Sequence, residues 1–255
     1  MEHQDVEIKK KKRPREDILV AAAFLVVLLL LGGSAFWAWN KYISTPPYVD
    51  YERFPVRGID VSAHNGVLDL DAAARDGISF VFIKATEGES FVDPNFRLNY
   101  MKAGHAGLKR GAYHFFRFDR DGVSQALNLL KVLAGRPLEL GIAIDVEEQG
   151  NPEGIPRDSV VQRLQAFTDF LILNGQRVTF YSNRAGYDKY LFEHFRDYPL
   201  WICSFDEENA KAADWAFWQY DHHGKVAGIP GDVDLNVYHN KDLNVNPIRH
   251  ADPTQ

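Results

Sequence analysis

Two acidic residues near the middle of the chain have the types and the spacing that acid–base chemistry requires. Asp145 and Glu147 lie in the stretch LGIAIDVEEQG (140–150), at the end of an apolar run of strand type. Because side chains alternate along a strand, residues two positions apart leave the same face. Like charges held close together raise the pKa of one carboxyl, which then stays protonated and can donate near neutral pH. The alternative is a strand that simply ends in acids where the sheet meets solvent.

Eight short runs rich in β-branched and aromatic residues are predicted to be strands. They cover residues 57–62, 79–86, 111–116, 140–147, 177–182, 199–205, 216–221 and 232–238. Helical patterns lie between the early strands, at residues 94–105, 123–133 and 158–174. This order predicts an α/β fold, an irregular TIM-like β/α barrel, with an open doubly wound sheet as the alternative.

In a β/α barrel the carboxyl ends of the strands build the active site. Carboxylates from strands far apart in sequence are predicted to converge there. The residues near these strand ends are Asp60, Lys84, Glu87, Tyr113, His114, Asp145, Glu147, Tyr181, Asn183, Trp218, Tyr220 and either Asp232 or Asp234.

The N-terminal region has the pattern of one transmembrane helix. The stretch ILVAAAFLVVLLLLGGSAFWAW (18–39) has about the 20 uncharged residues that cross a bilayer, and the basic stretch KKKKRPR (9–15) precedes it. This charge bias predicts a single-pass protein of the bacterial cytoplasmic membrane, with its N-terminus inside and its folded domain in the periplasm or outside. The alternative is a signal peptide cleaved near Gly33 and Ala35, which would give a secreted protein.

The predicted organisation follows from these two patterns. It comprises a cytoplasmic basic tail (1–17), a transmembrane signal anchor (18–39), a linker (40–55), a β/α-barrel domain (56–245) and a C-terminal tail (246–255).

Composition and charge argue against several other functions. The formal net charge is −6 and the folded part has no basic cluster, so nucleic acid is not predicted as a partner. Cys203 is the single cysteine and is predicted to be a buried strand thiol. His222 and His223 near Asp232 suggest a metal-dependent hydrolase, but adjacent histidines in a strand point to different sides. A solvated loop is favoured there, and neither a metal nor a cofactor is predicted.

Several motifs together resemble the glycoside hydrolase family 25 lysozymes in order and spacing. They are GIDVSAHNG (58–66), FVFIKATEG (80–88), GAYHFF (111–116), the Asp-Val-Glu at 145–147, FYSN (180–183), FWQY (217–220) and GDVDLNVY (231–238). The resemblance extends over nearly all of residues 57–239.

The resemblance implies a fold, a substrate and a set of catalytic residues. Family members cleave the β-1,4 bond between N-acetylmuramic acid and N-acetylglucosamine in peptidoglycan, on a barrel of five β/α units followed by three strands. The matching carboxylates here are Asp60, Asp145, Glu147 and Asp234. Glu147 is expected to be the general acid, with Asp145 raising its pKa and orienting the N-acetyl group of the substrate. Asp60 and Asp234 would complete the acidic floor, and the stereochemical outcome stays open.

Flat aromatic rings at strand ends suit a sugar polymer, so peptidoglycan glycan strands are the expected partner. The predicted substrate-binding residues are Tyr113, Lys84, Tyr181, Trp218, Tyr220 and His64. For each aromatic residue the alternative is packing in the core. His64 is included because many relatives continue the first motif as DVSHWQG, where this chain has DVSAHNG.

A rival function of another class is a membrane-tethered glycan-binding or scaffold protein without turnover. Such a protein would be expected to lose Asp145 or Glu147, and both are present. The sequence identifies no protein partner.

Overall fold

A computed structural model of the chain describes residues 19, 22, 24–34, 36, 49–206, 210 and 214–243. The chain divides into two compact units, Met1–Pro46 and Pro47–Gln255. The described residues of the first unit are helical and exposed. Within the described part of the chain, no helix is both long enough and apolar enough to cross a membrane. The predicted tails 1–17 and 246–255, and the rest of the predicted anchor 18–39, lie outside the described residues.

Nine strands form one sheet among the described residues of the second unit. Their bounds are β1 Arg57–Val61, β2 Ile78–Glu87, β3 Phe91–Val92, β4 Lys109–Phe115, β5 Gly141–Asp145, β6 Val178–Asn183, β7 Leu200–Cys203, β8 Phe217–Gly224 and β9 Val233–Tyr238. The hydrogen-bonded order is β1-β9-β8-β7-β6-β5-β4-β2-β3, and β1 also pairs with β2. That last pairing closes eight strands into a barrel and leaves β3 as a short outer strand beside β2.

The barrel is parallel from β1 round to β8 and irregular where it closes. Strand β9 runs antiparallel to both β8 and β1, and β3 runs antiparallel to β2. The predicted TIM-like barrel with an irregular final part is therefore confirmed. The eight predicted runs correspond to β1, β2 and β4–β9.

Among the described residues of the second unit, four α-helices of six or more residues pack outside the barrel. They are α1 Leu70–Arg75, α2 Phe96–His105, α3 Gly122–Leu133 and α4 Arg157–Leu173. Asp121 caps α3 by accepting a hydrogen bond from the Ser124 backbone N–H, and the chain leaves α4 through Gly175 at φ +72°. The apolar face predicted for residues 158–174 is buried as expected: Val160, Leu164, Phe167 and Leu171. The short helix α1 and the β2–β3 hairpin were not predicted.

Two apolar layers hold the barrel together. The larger one lies between the strands and the helices, and the smaller one fills the barrel interior with residues such as Phe80, Phe82 and Trp201. Two glycines make room for these rings, because a Cβ at Gly58 or at Gly111 would lie 2.3 Å from the ring of Phe80 or Phe82. Apolar side chains thus fill the rest of the barrel interior, and its carboxyl end is open to polar groups.

Part of the predicted linker belongs to the folded unit. Val49 and Phe54 are buried in the outer apolar layer, and the Tyr51 hydroxyl lies 2.7 Å from the Tyr220 hydroxyl. Residues 49–55 therefore pack on the barrel rather than forming a free connection.

Candidate active site

A small cavity opens at the carboxyl end of the barrel. Its volume is about 180 Å³, and side chains from β1, β4, β5, β6, β7, β8 and β9 line it. The lining residues are Asp60, Tyr113, Asp145, Glu147, Tyr181, Trp201, Gln219 and Asp234. All four predicted carboxylates thus meet in one place.

Asp145 and Glu147 share a face because the alternation of β5 continues past its last residue. The Val146 side chain between them is fully buried in the outer apolar layer. Its backbone N–H donates to the Tyr181 carbonyl of β6 at 2.9 Å, which continues the sheet pairing. Asp145 is 8% exposed, and its Oδ1 atom is buried without a hydrogen-bond partner among the described residues. An unpaired buried carboxylate oxygen is costly, which adds to the burial that raises the pKa of Asp145.

Asp60 is held by two amide side chains from the last two strands. Its Oδ2 accepts hydrogen bonds from Gln219 Nε2 at 2.9 Å and from Asn236 Nδ2 at 2.8 Å. Trp201 Nε1 donates to Asn236 Oδ1 at 2.7 Å, and the Tyr181 hydroxyl donates to Gln219 Oε1 at 2.8 Å. Since an indole N–H can only donate, the Asn236 oxygen must face Trp201 and its NH₂ group must face Asp60. The network therefore directs two donors at one carboxylate.

Burial raises the pKa of every acid in the cavity, but to different extents. The pKa of Asp60 rises to about 6, because burial outweighs its hydrogen bonds to Asn236, Gln219 and Asp234. The pKa of Asp234 rises to about 9, through burial first and then through the charge of Asp60. The two carboxyls therefore share a proton near neutral pH, with Asp60 the ionised member.

Glu147 has the pKa expected of a general acid at neutral pH. Burial and then the charge of Asp60 raise its pKa to about 7, while a hydrogen bond with Tyr181 lowers it. Since a hydrogen bond that lowers the pKa of a carboxyl stabilises its ionised form, the Tyr181 hydroxyl donates to the Glu147 carboxylate. When Glu147 is protonated, the Tyr181 hydroxyl can donate to Gln219 Oε1 at 2.8 Å, and Glu147 can donate to a bound substrate.

The expectation that Asp145 raises the pKa of Glu147 stays a prediction. The two carboxyls repel each other, and the charge of Glu147 adds to burial in raising the pKa of Asp145. The charge of Asp60 also acts on Glu147 and raises its pKa.

Lys84 lies beside the cavity rather than in its lining. Its Nζ donates to Glu87 Oε2 at 2.9 Å and lies within 5.6 Å of the ring centroids of Phe91 and Phe115. The Lys84 charge opposes burial at Asp145 by lowering the pKa of that carboxyl. Lys84 therefore acts on the acids through its charge.

Three predicted substrate-binding residues do not reach the cavity. Trp218 and Tyr220 are buried in the outer apolar layer, where Trp218 Nε1 donates to the Ser204 carbonyl at 2.7 Å. Their assignment is corrected because Gln219 is the residue of β8 that faces inward, which turns its two neighbours outward. His64 is exposed on the 3₁₀ turn Ala63–Asn65 and does not line the cavity.

Tyr113 and Tyr181 do line the cavity, and both are the inward residues of their strands. Burial and the neighbouring carboxylates raise the pKa of Tyr113, so its hydroxyl keeps its proton and remains a donor. Sequence reasoning missed Gln219, Asn236 and Trp201. Two sequence positions could have indicated them. Gln219 is a polar residue within the aromatic motif FWQY, and Asn236 follows Asp234 by two residues, so both point to the same face of the strand.

The histidine pair and the cysteine have other roles. His223 Nδ1 lies 2.9 Å from Asp232 Oδ2, and Lys225 also pairs with Asp232, so Asp234 is the β9 acid of the cavity. In the part of the chain that the structure describes, no cluster of three or more His, Cys, Asp and Glu side chains could hold a metal ion. Cys203 is partly buried on the inner layer, and burial raises its pKa to about 12.

These features define the class of protein. A closed β/α barrel whose carboxyl end holds a proton-donating carboxyl beside further carboxylates has the arrangement of a glycoside hydrolase. Residues 59–229 match the family Glycosyl hydrolases family 25. The chain belongs to that family.

Relatives with names and structures agree with this assignment. The autolytic lysozyme of Clostridium acetobutylicum is 33% identical over 184 residues, which are 72% of this chain and 56% of that protein, so the chain spans about half its length. Lysozyme M1 of Streptomyces globisporus is 31% identical over 200 residues, covering 72% of this chain and 67% of that protein. The structure of a family 25 glycosyl hydrolase from Bacillus anthracis superposes with a TM-score of 0.67 at 31% identity, covering 77% of this chain and 94% of that one.

Proposed function

We propose that this protein is a lysozyme-type muramidase that hydrolyses the β-1,4 bond between N-acetylmuramic acid and N-acetylglucosamine in peptidoglycan. One observation carries the proposal: a single cavity pairs Glu147, whose pKa is about 7, with Asp145, whose Oδ1 atom has no partner. Membership of the family and the lysozyme names of two relatives support the same substrate class.

Glu147 is the general acid in this proposal. Its proton passes to the glycosidic oxygen as the bond to the anomeric carbon breaks, so that the leaving sugar departs as a neutral alcohol. The resulting Glu147 carboxylate can then take a proton from the water that attacks the anomeric carbon. A pKa of about 7 suits both steps, because donor and acceptor forms are both available near neutral pH.

Asp145 orients the N-acetyl group of the substrate. Its carboxylate lines the cavity and would accept the acetamido N–H, which increases the electron density on the acetamido carbonyl oxygen. That oxygen would act as the internal nucleophile towards the anomeric carbon. The ionised Asp60, fixed by its two amide donors, stabilises the positive charge that develops on the sugar ring.

Exposed rings at the rim of the barrel replace Trp218 and Tyr220 as candidates for packing against sugar faces. Phe91 is 48% exposed and pairs with Glu87 at the carboxyl end of β2. Phe205 is 41% exposed, follows β7, and lies 4.4 Å from the His222 ring.

The test compares the full-length chain with Glu147→Gln on purified peptidoglycan. Mass spectrometry of the new reducing ends identifies the bond that is cut, and Glu193→Gln is the matched control, because Glu193 is exposed and pairs with Arg157. Muramic acid ends from the wild type and the control, but not from Glu147→Gln, are the expected result.

Two other outcomes would contradict the proposal. N-acetylglucosamine ends would place the cut at the other linkage of the glycan. Retained binding without cleavage by any variant would favour a tethered glycan-binding protein.

We also propose that residues 18–39 anchor the protein in a bacterial cytoplasmic membrane, with the barrel outside the cytoplasm. The uncharged run and the basic residues before it support this, as do the exposed apolar side chains of its described part, for example Leu29 at 67%. Membrane fractionation with N-terminal sequencing tests the proposal. An intact N-terminus in the membrane fraction is expected, whereas a soluble product that starts after Ala35 would indicate signal cleavage.

A further inference from the structure

A second, larger cavity lies next to the catalytic one. Its volume is about 570 Å³, which is within the usual range for small-ligand pockets. The loop after β5 forms most of its wall, and Phe118 after β4 and the π-helical turn Tyr187–Leu191 form the rest. The lining residues are Phe118, Glu148, Gln149, Gly150, Asn151, Pro152, Glu153, Gly154, Ile155, Lys189 and Tyr190.

The loop that carries Glu147 also frames this second cavity. Glu147 lines the first cavity and Glu148, the next residue, lines the second. Asn151 Nδ2 donates to the Glu147 carbonyl at 2.8 Å and to the Phe116 carbonyl at 3.0 Å, and Asn151 Oδ1 accepts from the Phe118 N–H at 2.8 Å. A group bound in the second cavity would therefore contact the segment that positions the catalytic acid.

The lining is polar and charged rather than suited to sugar rings. Glu148 Oε1 accepts hydrogen bonds from both Lys189 Nζ and the Tyr190 hydroxyl, which fixes this carboxylate in the wall. Glu153 is exposed and has no ion-pair partner among the residues that the structure describes. Phe118 and Tyr190 are each 2% exposed, so neither presents an open ring face.

We propose that the second cavity binds the peptide stem of peptidoglycan, with the free amine of the stem's diamino acid paired to Glu153. This inference rests on the proposed function, since the stem is attached to the muramic acid unit that would be cut at Glu147. The amide group of Gln149 offers a partner for a peptide backbone. The acetylated sugars carry no positive charge, so a carboxylate without a partner favours the amine-bearing peptide.

Binding of the peptide alone is measured first, independently of cleavage. The probe is a synthetic N-acetyl-alanyl-γ-glutamyl-diaminopimelate, whose only free amine is that of diaminopimelate, titrated calorimetrically into the full-length chain carrying Glu147→Gln. Adding Glu153→Gln is expected to weaken binding by up to about fivefold, the upper end of the range for one exposed ion pair. Glu153→Asp should retain most of the affinity, and Glu52→Gln is the control, because Glu52 is exposed on the segment before β1.

The second arm compares intact peptidoglycan with glycan strands stripped of their stems by an amidase. Glu153→Gln is expected to raise KM on intact peptidoglycan and to leave KM on stripped strands unchanged. Two results would overturn the inference and favour a sugar subsite. One is a peptide that binds equally well after its diaminopimelate amine is acetylated. The other is a Glu153→Gln rise in KM that is equal on both substrates. Peptide binding without any cleavage would instead refute the muramidase proposal and leave the peptide site standing.

Discussion

Replacing Gln219 with methionine tests whether the amide network sets the charge of the cavity. Methionine keeps the length of the side chain but removes the 2.9 Å hydrogen bond to Asp60 and the acceptor for the Tyr181 hydroxyl. A hydrogen bond to a charged group contributes about 1.5 to 3 kcal/mol, and one between neutral groups about 1 kcal/mol. The ionised form of Asp60 therefore loses roughly 1 kcal/mol more than the protonated form, which raises its pKa by about one, from about 6 to roughly 7.

The sign of the stability effect follows from the folded-state pKa. Asp60 ionises at about 6 in the folded protein, above its ordinary value of 3.8, so the folded state holds the proton more tightly and stability falls as pH rises through this window. In Gln219→Met the fall continues to a higher pH. The variant should be less stable than wild type by about 1 kcal/mol at pH 4.5 and by roughly 2 kcal/mol or more at pH 8.

Urea unfolding at the two pH values measures this difference, and the pH profile of kcat/KM on peptidoglycan measures its effect on activity. The acid limb of the profile should move upward by about one pH unit if ionised Asp60 is required. Gln162→Met on the exposed face of α4 is the matched control. A stability difference that is the same at both pH values, together with an unmoved acid limb, would refute the reasoning.

Three further predictions concern packing and the cavity lining. Gly111→Ala should lower the free energy of unfolding by about 1 to 3 kcal/mol in urea, because its Cβ would lie 2.3 Å from the Phe82 ring, and an unchanged midpoint would contradict the close fit. Trp218→Leu should cost roughly 3 kcal/mol of stability yet leave kcat/KM of the folded enzyme unchanged, since this residue packs outside the barrel; a selective rise in KM would return it to the substrate site. Tyr113→Phe should show the reverse, with lower kcat/KM and a near-normal unfolding midpoint, as expected for a hydroxyl that faces the cavity.

The order of strands and helices was readable from the sequence because it depends on local patterns. Each predicted strand has a counterpart, and the buried face of α4 has the spacing expected of a helix. The shared orientation of Asp145 and Glu147 also follows from alternation within one strand. The short elements β3 and α1 were missed because two to six residues give too little periodicity to detect.

The face of β8 that points inward was not readable in the same way. In FWQY both faces are buried, since Phe217 packs inside the barrel and Trp218 and Tyr220 pack outside. Alternation shows that the side chains of neighbouring residues point to opposite faces of the strand. When both faces carry apolar residues, alternation does not show which face points into the barrel. Assigning the aromatic residues to the substrate was therefore wrong for Trp218 and Tyr220.

The sequence by itself determined the types of the candidate catalytic residues and their places at the ends of particular strands. Only the tertiary structure decided how they interact, because closure of the barrel brings β1 beside β9 and places Gln219 and Asn236 on Asp60. The raised pKa values of Glu147 and Asp234 have the same origin. Burial and the charge of Asp60 raise these pKa values across short distances between residues that are far apart in the chain. A sequence pattern does not give those distances.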